Sequence, residues 1–401
     1  MVSGRLRTVL IKVHLYIGLS FGLLFVLLGL TGTAIAWRDE LDAALNPELL
    51  VSSAPARIPV GGPSIDAIYR KLSADPHYGR PNTLMLPMHE DGVFIAAYPI
   101  KGPAASPGRS RQVMIDPITL EVKGERLWGV PGLSRAQLLP TLFHLHRYLL
   151  TGDTGKTIIG MTGMVILISV IVGLALWWPK MNKRSWLQSV RITHGGSWSR
   201  FNFSLHRAGG LFIAPVMLVS AFSGWYLNLP KWVTPLISSV MTVSPPVKHQ
   251  SAPAAPGAET LSPALAVAAA QREFPDALVT RVSLPRKAGD AYEIRLRQPG
   301  EIREDSGATR LWLDAHTGQR IAARDPKQAA SGDTFINWLF PLHTGEAFGI
   351  PGRVFMTLYG LTPLAFALTG ILIWWKRRSG HRRHLQREQE RARTRTKLTR
   401  A

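Results

Sequence analysis

The sequence contains no cysteine. That absence excludes disulfides, thiolate metal sites, iron–sulfur clusters and covalently attached c-type haem, which needs a C-x-x-C-H run. Any redox centre must be held by other side chains. Acidic residues are scarce too, 26 Asp and Glu against 47 Lys and Arg in 401 residues. Charge of either sign is missing altogether from four runs: 25 residues between Lys12 and Arg38, 23 between Lys156 and Lys180, 23 between Arg207 and Lys231, and 22 between Arg353 and Lys376. Each exceeds the roughly 20 apolar residues that a helix needs to cross a bilayer, so four spans are expected. Arg5, Arg7 and Lys12 precede an apolar run ending in Ala34-Ile35-Ala36, but it is longer than the about 7 to 15 residues of a secretory signal core. It reads as a true span.

The excess of positive charge is unevenly placed. Residues 1–15, 179–207 and 376–401 together hold 20 basic residues against two acids, +18 of the total +21. With four spans, these three segments share one side of the membrane, and the positive-inside rule makes that side cytoplasmic. Both termini are then cytoplasmic, the two long connections lie outside, and the location is a bacterial inner membrane. The Arg-rich tail reads as an anchor on anionic lipid, and no nucleic-acid partner is expected.

The chain repeats itself. His14, Gly18-Leu19 and Thr31-Gly32 recur as His206, Gly210-Leu211 and Ser223-Gly224, each 192 residues later. Leu145-His146, Gly155-Lys156, Gly173 and Trp177-Trp178 recur as Leu342-His343, Gly352-Arg353, Gly370 and Trp374-Trp375, 197 residues later. Ile115-Asp116-Pro117-Ile118-Thr119 and Leu313-Asp314-Ala315-His316-Thr317 stand 198 apart, each closing an alternating apolar stretch (112–115 and 309–313) that reads as a strand into a turn. Helices are expected upstream over 64–73 and 263–274, started by Ser64 or Ser262 beside a Pro. Linkers rich in Pro, Ala and Ser occupy 52–63 and 244–263. The fold class is therefore a mainly α membrane protein, four transmembrane helices in a tandem parallel repeat (helix, outer lobe, helix, twice) with two small α+β lobes in the periplasm. Such repeats are related by a pseudo-twofold axis along the membrane normal. The boundaries are 1–38 for the first span, 39–135 for the first lobe, and 136–180 for an outer His segment with the second span. A basic cytoplasmic loop (181–203), the third span (204–230), the second lobe (231–335), a second outer His segment with the fourth span (336–376) and a basic cytoplasmic tail (377–401) follow.

Of twelve histidines, the repeat selects four. His14 and His206 stand near the cytoplasmic ends of spans one and three, and His146 and His343 just outside spans two and four. A pseudo-twofold axis brings each equivalent pair face to face, the layout of two bis-histidine sites for non-covalent haem iron. Gly18 and Gly32 lie within about 40° of the His14 face of an ideal helix, as Gly210 and Gly224 do for His206, leaving room for a flat porphyrin. The same glycines also suit close helix packing. His144 rivals His146 as the outer ligand, although its repeat counterpart is Pro341. Arg207 and Arg147, each directly after a candidate ligand, are placed to pair with haem propionates, and are equally ordinary interfacial arginines. The Trp pairs suit an aromatic belt at the headgroups. His77, His89, His194, His249, His316, His381 and His384 lack repeat support and read as solvated surface residues.

With these residues in hand, the chain resembles the PepSY-associated transmembrane proteins, a group that includes iron-regulated inner-membrane reductases of ferric siderophores. The inner His-x3-Gly-Leu spans, the Leu-His segments before the Trp-Trp helices, and the Asp-x-x-Thr turns at Asp116 and Thr119 and at Asp314 and Thr317 carry the likeness. The second lobe, with Leu311-Trp312-Leu313-Asp314-Ala315-His316-Thr317-Gly318, matches better; the first has Leu120 in place of the Gly. The resemblance implies electron transfer across the inner membrane through two b-type haems to a ferric siderophore in the periplasm, releasing Fe(II) for uptake. No nucleotide-binding G-x-G-x-x-G or P-loop is present, so the donor is another protein, a membrane quinol or a diffusible reduced flavin. Two other classes remain open. A metal-ion transporter would carry ferrous iron or copper on the same histidines, but its spans would lack a relay of ionisable groups. A PepSY-type regulator of a periplasmic protease would leave the membrane histidines idle.

Overall fold

The computed structural model describes residues 4–53, 63–100, 108–179, 181–246, 249–253 and 259–398. Most of the first linker and parts of the second lie outside these residues, as do the side chains of Ser64 and His381. In chain order, the first helices are α1 (Gly4–Ile35), α2 (Arg38–Leu45), α3 (Pro47–Leu50) and α4 (Pro63–Ala74). Strands β1 (Thr83–Met85), β2 (Phe94–Pro99), β3 (Ser110–Ile115) and β4 (Val122–Trp128) follow, then α5 (Arg135–Tyr148), α6 (Asp153–Trp177), α7 (Lys183–Val190) and α8 (Trp198–Asn228). The second half has α9 (Pro230–Ser238), α10 (Pro263–Glu273), β5 (Leu278–Ser283), β6 (Tyr292–Arg297), β7 (Thr309–Leu313) and β8 (Arg320–Arg324). It ends with α11 (Ser331–Thr344), α12 (Gly349–Gly360) and α13 (Thr362–Leu398).

Four helical segments are long and apolar enough to cross a membrane: Gly4–Ile35, Asp153–Trp177, Trp198–Asn228 and Glu346–Gln389. They coincide with the four charge-free runs. Two boundaries differ from the sequence reading. The third helix starts at Trp198 and so absorbs the end of the basic 181–203 segment, which also holds α7, capped where Asn182 Oδ1 accepts from Ser185 N at 2.9 Å. The basic tail is helical as far as Leu398, because good helix formers such as Arg, Gln, Glu and Lys dominate it and Gly380 is its one glycine.

The chain divides into two units. One, Met1–Thr33 with Met161–Phe222 and Thr357–Ala401, holds helices and no strand among its described residues. Gly29 and Gly360 come so close in it that neither has space for a Cβ, the small-residue contact that lets helices approach within a bilayer. Polar bonds between helices reinforce it: Thr33 Oγ1 donates to Thr357 O at 3.1 Å, and Asn202 Nδ2 to Thr369 O at 3.0 Å.

The other unit, Ala34–Gly160 with Ser223–Met356, contains all eight strands. They form one antiparallel sheet in the order β4-β3-β2-β1-β5-β6-β7-β8. Two separate lobes are expected from the sequence; instead β1 and β5 pair, Leu84 opposite Val282, and join the halves. One side of the sheet is covered by α4 and α10, through Ile65, Ile68 and Leu72 and through Ala266, Val267 and Ala270. Asp66 Oδ1 accepts from Ala264 N at 2.8 Å and ties the two helices together.

The Asp-x-x-Thr turns are structural locks. Asp116 Oδ1 accepts from Ile118 N and Thr119 N, and its Oδ2 from Ser52 Oγ and Ser53 N. Asp314 Oδ1 accepts from His316 N and Thr317 N, and its Oδ2 from Ala252 N. Burial pushes both carboxyls up, but the converging N–H and O–H donors outweigh it and hold each at about 2. Leu120 takes φ +59° where its counterpart Gly318 has φ +69°, so the first lobe keeps the turn despite lacking the glycine. A folded-state value below the unfolded one stabilises above pH ~3.9, and the gain is lost as pH falls toward 2. Each turn is expected to contribute roughly 2 kcal/mol in this way. Asp314→Asn should lower the unfolding midpoint at pH 7 while flattening its acid dependence between pH 4 and 2; an unchanged acid dependence would contradict the lock.

Candidate functional site

Each unit holds one of the two expected histidine pairs. In the helical unit, His14 of α1 and His206 of α8 have ring centroids 6.4 Å apart with planes at 83°. In the sheet-bearing unit, His146 of α5 and His343 of α11 are also 6.4 Å apart, at 66°. Both outer histidines lie on regular helices, which supplies the register that the Gly-rich segments after them hide in the sequence. The repeated distance has a chemical meaning. Two imidazoles that share one metal ion from opposite sides need about 6.2 Å between centroids, from two metal–nitrogen bonds of ~2 Å and ~1.1 Å from each nitrogen to its ring centre.

The ring nitrogens are oriented from outside each pair. His14 Nδ1 donates to Ser169 O at 3.0 Å; a carbonyl only accepts, so the proton sits on Nδ1 and Nε2 keeps its lone pair. Thr369 Oγ1 donates to Ala365 O at 2.7 Å and therefore accepts from His206 Nδ1, also at 2.7 Å. His343 Nδ1 is hydrogen-bonded to Ser223 Oγ at 2.8 Å. An Nδ1 held by an outer partner with Nε2 left for a metal is the usual arrangement of ligating histidine.

Glycines of neighbouring helices flank the rings. A Cβ on Gly173 would lie 3.3 Å from His14 Cε1, one on Gly370 3.6 Å from His206 Cε1, and one on Gly224 3.4 Å from His343 Cε1. The glycines expected beside the inner ligands behave differently: Gly18 borders open space and Gly210 faces Phe366. Gly173 and Gly370 are visible in the sequence as repeat marks, but only the packing reveals what they face.

Arg147 and Arg207 each donate to a backbone carbonyl, Arg147 Nη2 to Leu227 O at 3.4 Å and Arg207 Nη2 to Gln188 O. The Nε of each is buried without a protein partner, a donor open to an anion such as a carboxylate. His144 does not join the outer pair, which corrects its standing as a rival ligand. Its Nδ1 lies 3.0 Å from Pro140 O and its Nε2 3.2 Å from Gly108 O, and its ring stacks on Tyr148 at 5.2 Å. Burial lowers its pKa, so the neutral ring donates to one carbonyl at a time. His144 thus fastens α5 to the segment before β3.

His249 corrects another expectation. It is half-buried, stacked on Trp312 at 3.7 Å and 6°, and its Nδ1 is buried without a hydrogen-bond partner. His77, His89, His194 and His384 are exposed as expected.

Among the described residues, no group of three or more His, Cys, Asp or Glu could hold a metal ion. Each pair offers an ion two imidazoles, and a porphyrin supplies four further ligands of its own. These features define a class: a membrane protein of four apolar helices, with a β-sheet region and two facing histidine pairs. The chain belongs to the PepSY-associated TM family, whose model, described as the PepSY-associated TM region, matches residues 11–377. No curated protein matches the chain.

Proposed function

We propose that this protein is an inner-membrane oxidoreductase that binds two b-type haems and passes electrons across the membrane to a ferric siderophore in the periplasm, releasing Fe(II). The observation that carries the reading is the 6.4 Å separation found independently in both pairs, the spacing of two axial imidazoles. When bound, the haems supply reversible one-electron storage. His14 with His206, and His146 with His343, would hold the haem irons. Ser169, Thr369 and Ser223 fix the ring orientations, and Arg147 and Arg207 offer buried donors to propionates. The doubled sheet, with its paired helices and paired Asp turns, supports the tandem-repeat organisation and an outer location for this region. The basic segments support cytoplasmic termini.

The test uses purified protein reduced with dithionite, desalted under anaerobic conditions, and mixed with ferric chelates in the presence of a ferrous-specific chromophore. The expected result is reoxidation of the haem bands with one Fe(II) trapped per electron lost. Reduced protein that no ferric chelate reoxidises would overturn the reading. Removing an orienting group should act short of ligand loss. Thr369→Val is expected to weaken retention of the inner haem by about 10- to 100-fold, measured by haem transfer to apomyoglobin, with the outer haem unaffected.

A further inference from the structure

On the sheet face opposite α4 and α10, four arginines stand in one cross-strand row. Arg281 of β5 pairs with Arg295 of β6, Arg295 with Arg310 of β7, and Arg310 with Arg324 of β8. Side chains alternate along a strand, so all four project on the side away from the apolar core formed by Val282, Ile294, Leu296 and Leu311. Like charges directly opposite one another on neighbouring strands destabilise a sheet. Among the described residues, the carboxylates that act on the row are Glu293, 3.7 Å from Arg310, and Asp305, which Arg303 engages at 2.7 Å. Arg295 records the strain, since burial and then Arg310, Arg281 and Arg303 bring its pKa down to about 10. Its Nε is also buried without a partner.

The first half of the sheet shows that the fold does not need this charge. Arg126 and Gln112 stand where Arg324 and Arg310 do at the 198-residue offset, and they pair in the same register. There Arg126 Nε donates to Gln112 Oε1 at 2.9 Å, and its Nη1 meets Asp42 at 2.7 Å. At the 192-residue offset, Thr234 replaces Asp42 in the second half. The neutralising carboxylate has no counterpart, and the row is left cationic.

Beside the row, the His249 ring lies flat on Trp312, and the His249 Nδ1 is unpartnered. Arg303 lies 4.2 Å from the ring of Phe340, three residues before His343 on α11. An anion on this face would thus rest next to the helix that carries an outer histidine.

We propose that the Arg281–Arg295–Arg310–Arg324 row, with the His249–Trp312 stack, is the docking site for the electron acceptor, and that the acceptor is an anionic ferric chelate with aromatic oxygen donors, of the tris-catecholate type. This rests on the reductase reading for why an acceptor docks, but its test does not depend on electron transfer. The probe is the redox-inert gallium(III) tris-catecholate trianion, titrated onto oxidised, detergent-purified full-length protein, with a neutral gallium(III) tris-hydroxamate as comparison.

The trianion should bind at least ten-fold more tightly than the neutral complex, and more weakly as salt is raised from 50 to 500 mM. The double variant R295Q/R310Q should lose at least ten-fold in affinity for the trianion and none for the neutral complex, with haem content unchanged. Arg324→Gln alone, at the exposed end of the row, should lose about three-fold and covers the case of a misfolded double variant. Equal affinities for the two complexes, or variants that bind the trianion like the wild type, would overturn the proposal. So would loss of the outer haem from a folded R295Q/R310Q protein, which would assign the row to haem propionates. Binding of the gallium trianion without reoxidation by its ferric counterpart would count against the reductase reading while leaving the site standing.

Discussion

His206→Ala is expected to leave one haem per chain instead of two and to lower ferric-chelate reduction by at least about 100-fold, since even outer partners of a ligating histidine are worth about 10- to 100-fold. His206 and His14 supply the only two imidazoles of the inner pair, 6.4 Å apart, and Thr369 and Ser169 orient nothing useful once one ring is gone. His343→Ala should do the reverse and remove only the outer haem. The two variants therefore separate by spectrum: each should keep one low-spin species with the potential it has in the wild type. Loss of both haems from either variant, or of neither, would contradict two independent sites. Haem quantitation and a redox titration of each variant check this.

The largest loss of stability is expected from Arg126→Leu, by about 3–5 kcal/mol. The Arg126 and Asp42 side chains are only 4% and 6% exposed, and their ion pair at 2.7 Å joins β4 to α2. Gln112 Oε1 and Ala136 O accept further bonds from the same guanidinium. Removing the arginine strands a buried carboxylate, which is costlier than the pair itself is worth. The double variant Asp42→Leu with Arg126→Leu should regain much of the loss. Thermal unfolding followed by circular dichroism in detergent distinguishes the two. A double variant no more stable than the single one would mean that packing, not the orphaned charge, sets the cost.

Much of this was legible in the sequence, for identifiable reasons. Charge-free runs of more than 20 residues mark spans because a bilayer tolerates little else, and all four became helices. The strand before Asp314 was legible because Thr309, Leu311 and Leu313 alternate onto one buried face. The pairing of His14 with His206 and of His146 with His343 followed from equivalent positions in a repeat.

The failures concern contacts that no local pattern encodes. β1 is three residues long and pairs with a strand nearly 200 residues later, so the joined sheet left no periodic trace. His249 looked solvated because Trp312, which covers it, is distant in sequence and its counterpart in the first half is Met114. His144 and His146 share a helix, and only the placement of Gly108 and Pro140 carbonyls around His144 separates their roles. The hydrogen-bond partners of the inner histidines come from other helices at non-equivalent positions, Ser169 and Thr369, so the repeat could not flag them. Ser223 was visible as the counterpart of Thr31, without a stated role.

The most direct measurement of the central claim is the haem content and spectrum of detergent-purified protein from haem-sufficient cells. A pyridine haemochrome assay gives haem per chain, and a reduced-minus-oxidised difference spectrum gives the spin state. Two b-type, low-spin haems per chain are expected. A colourless protein, or one haem that no single histidine substitution removes, would contradict the assignment of the two pairs as axial ligands.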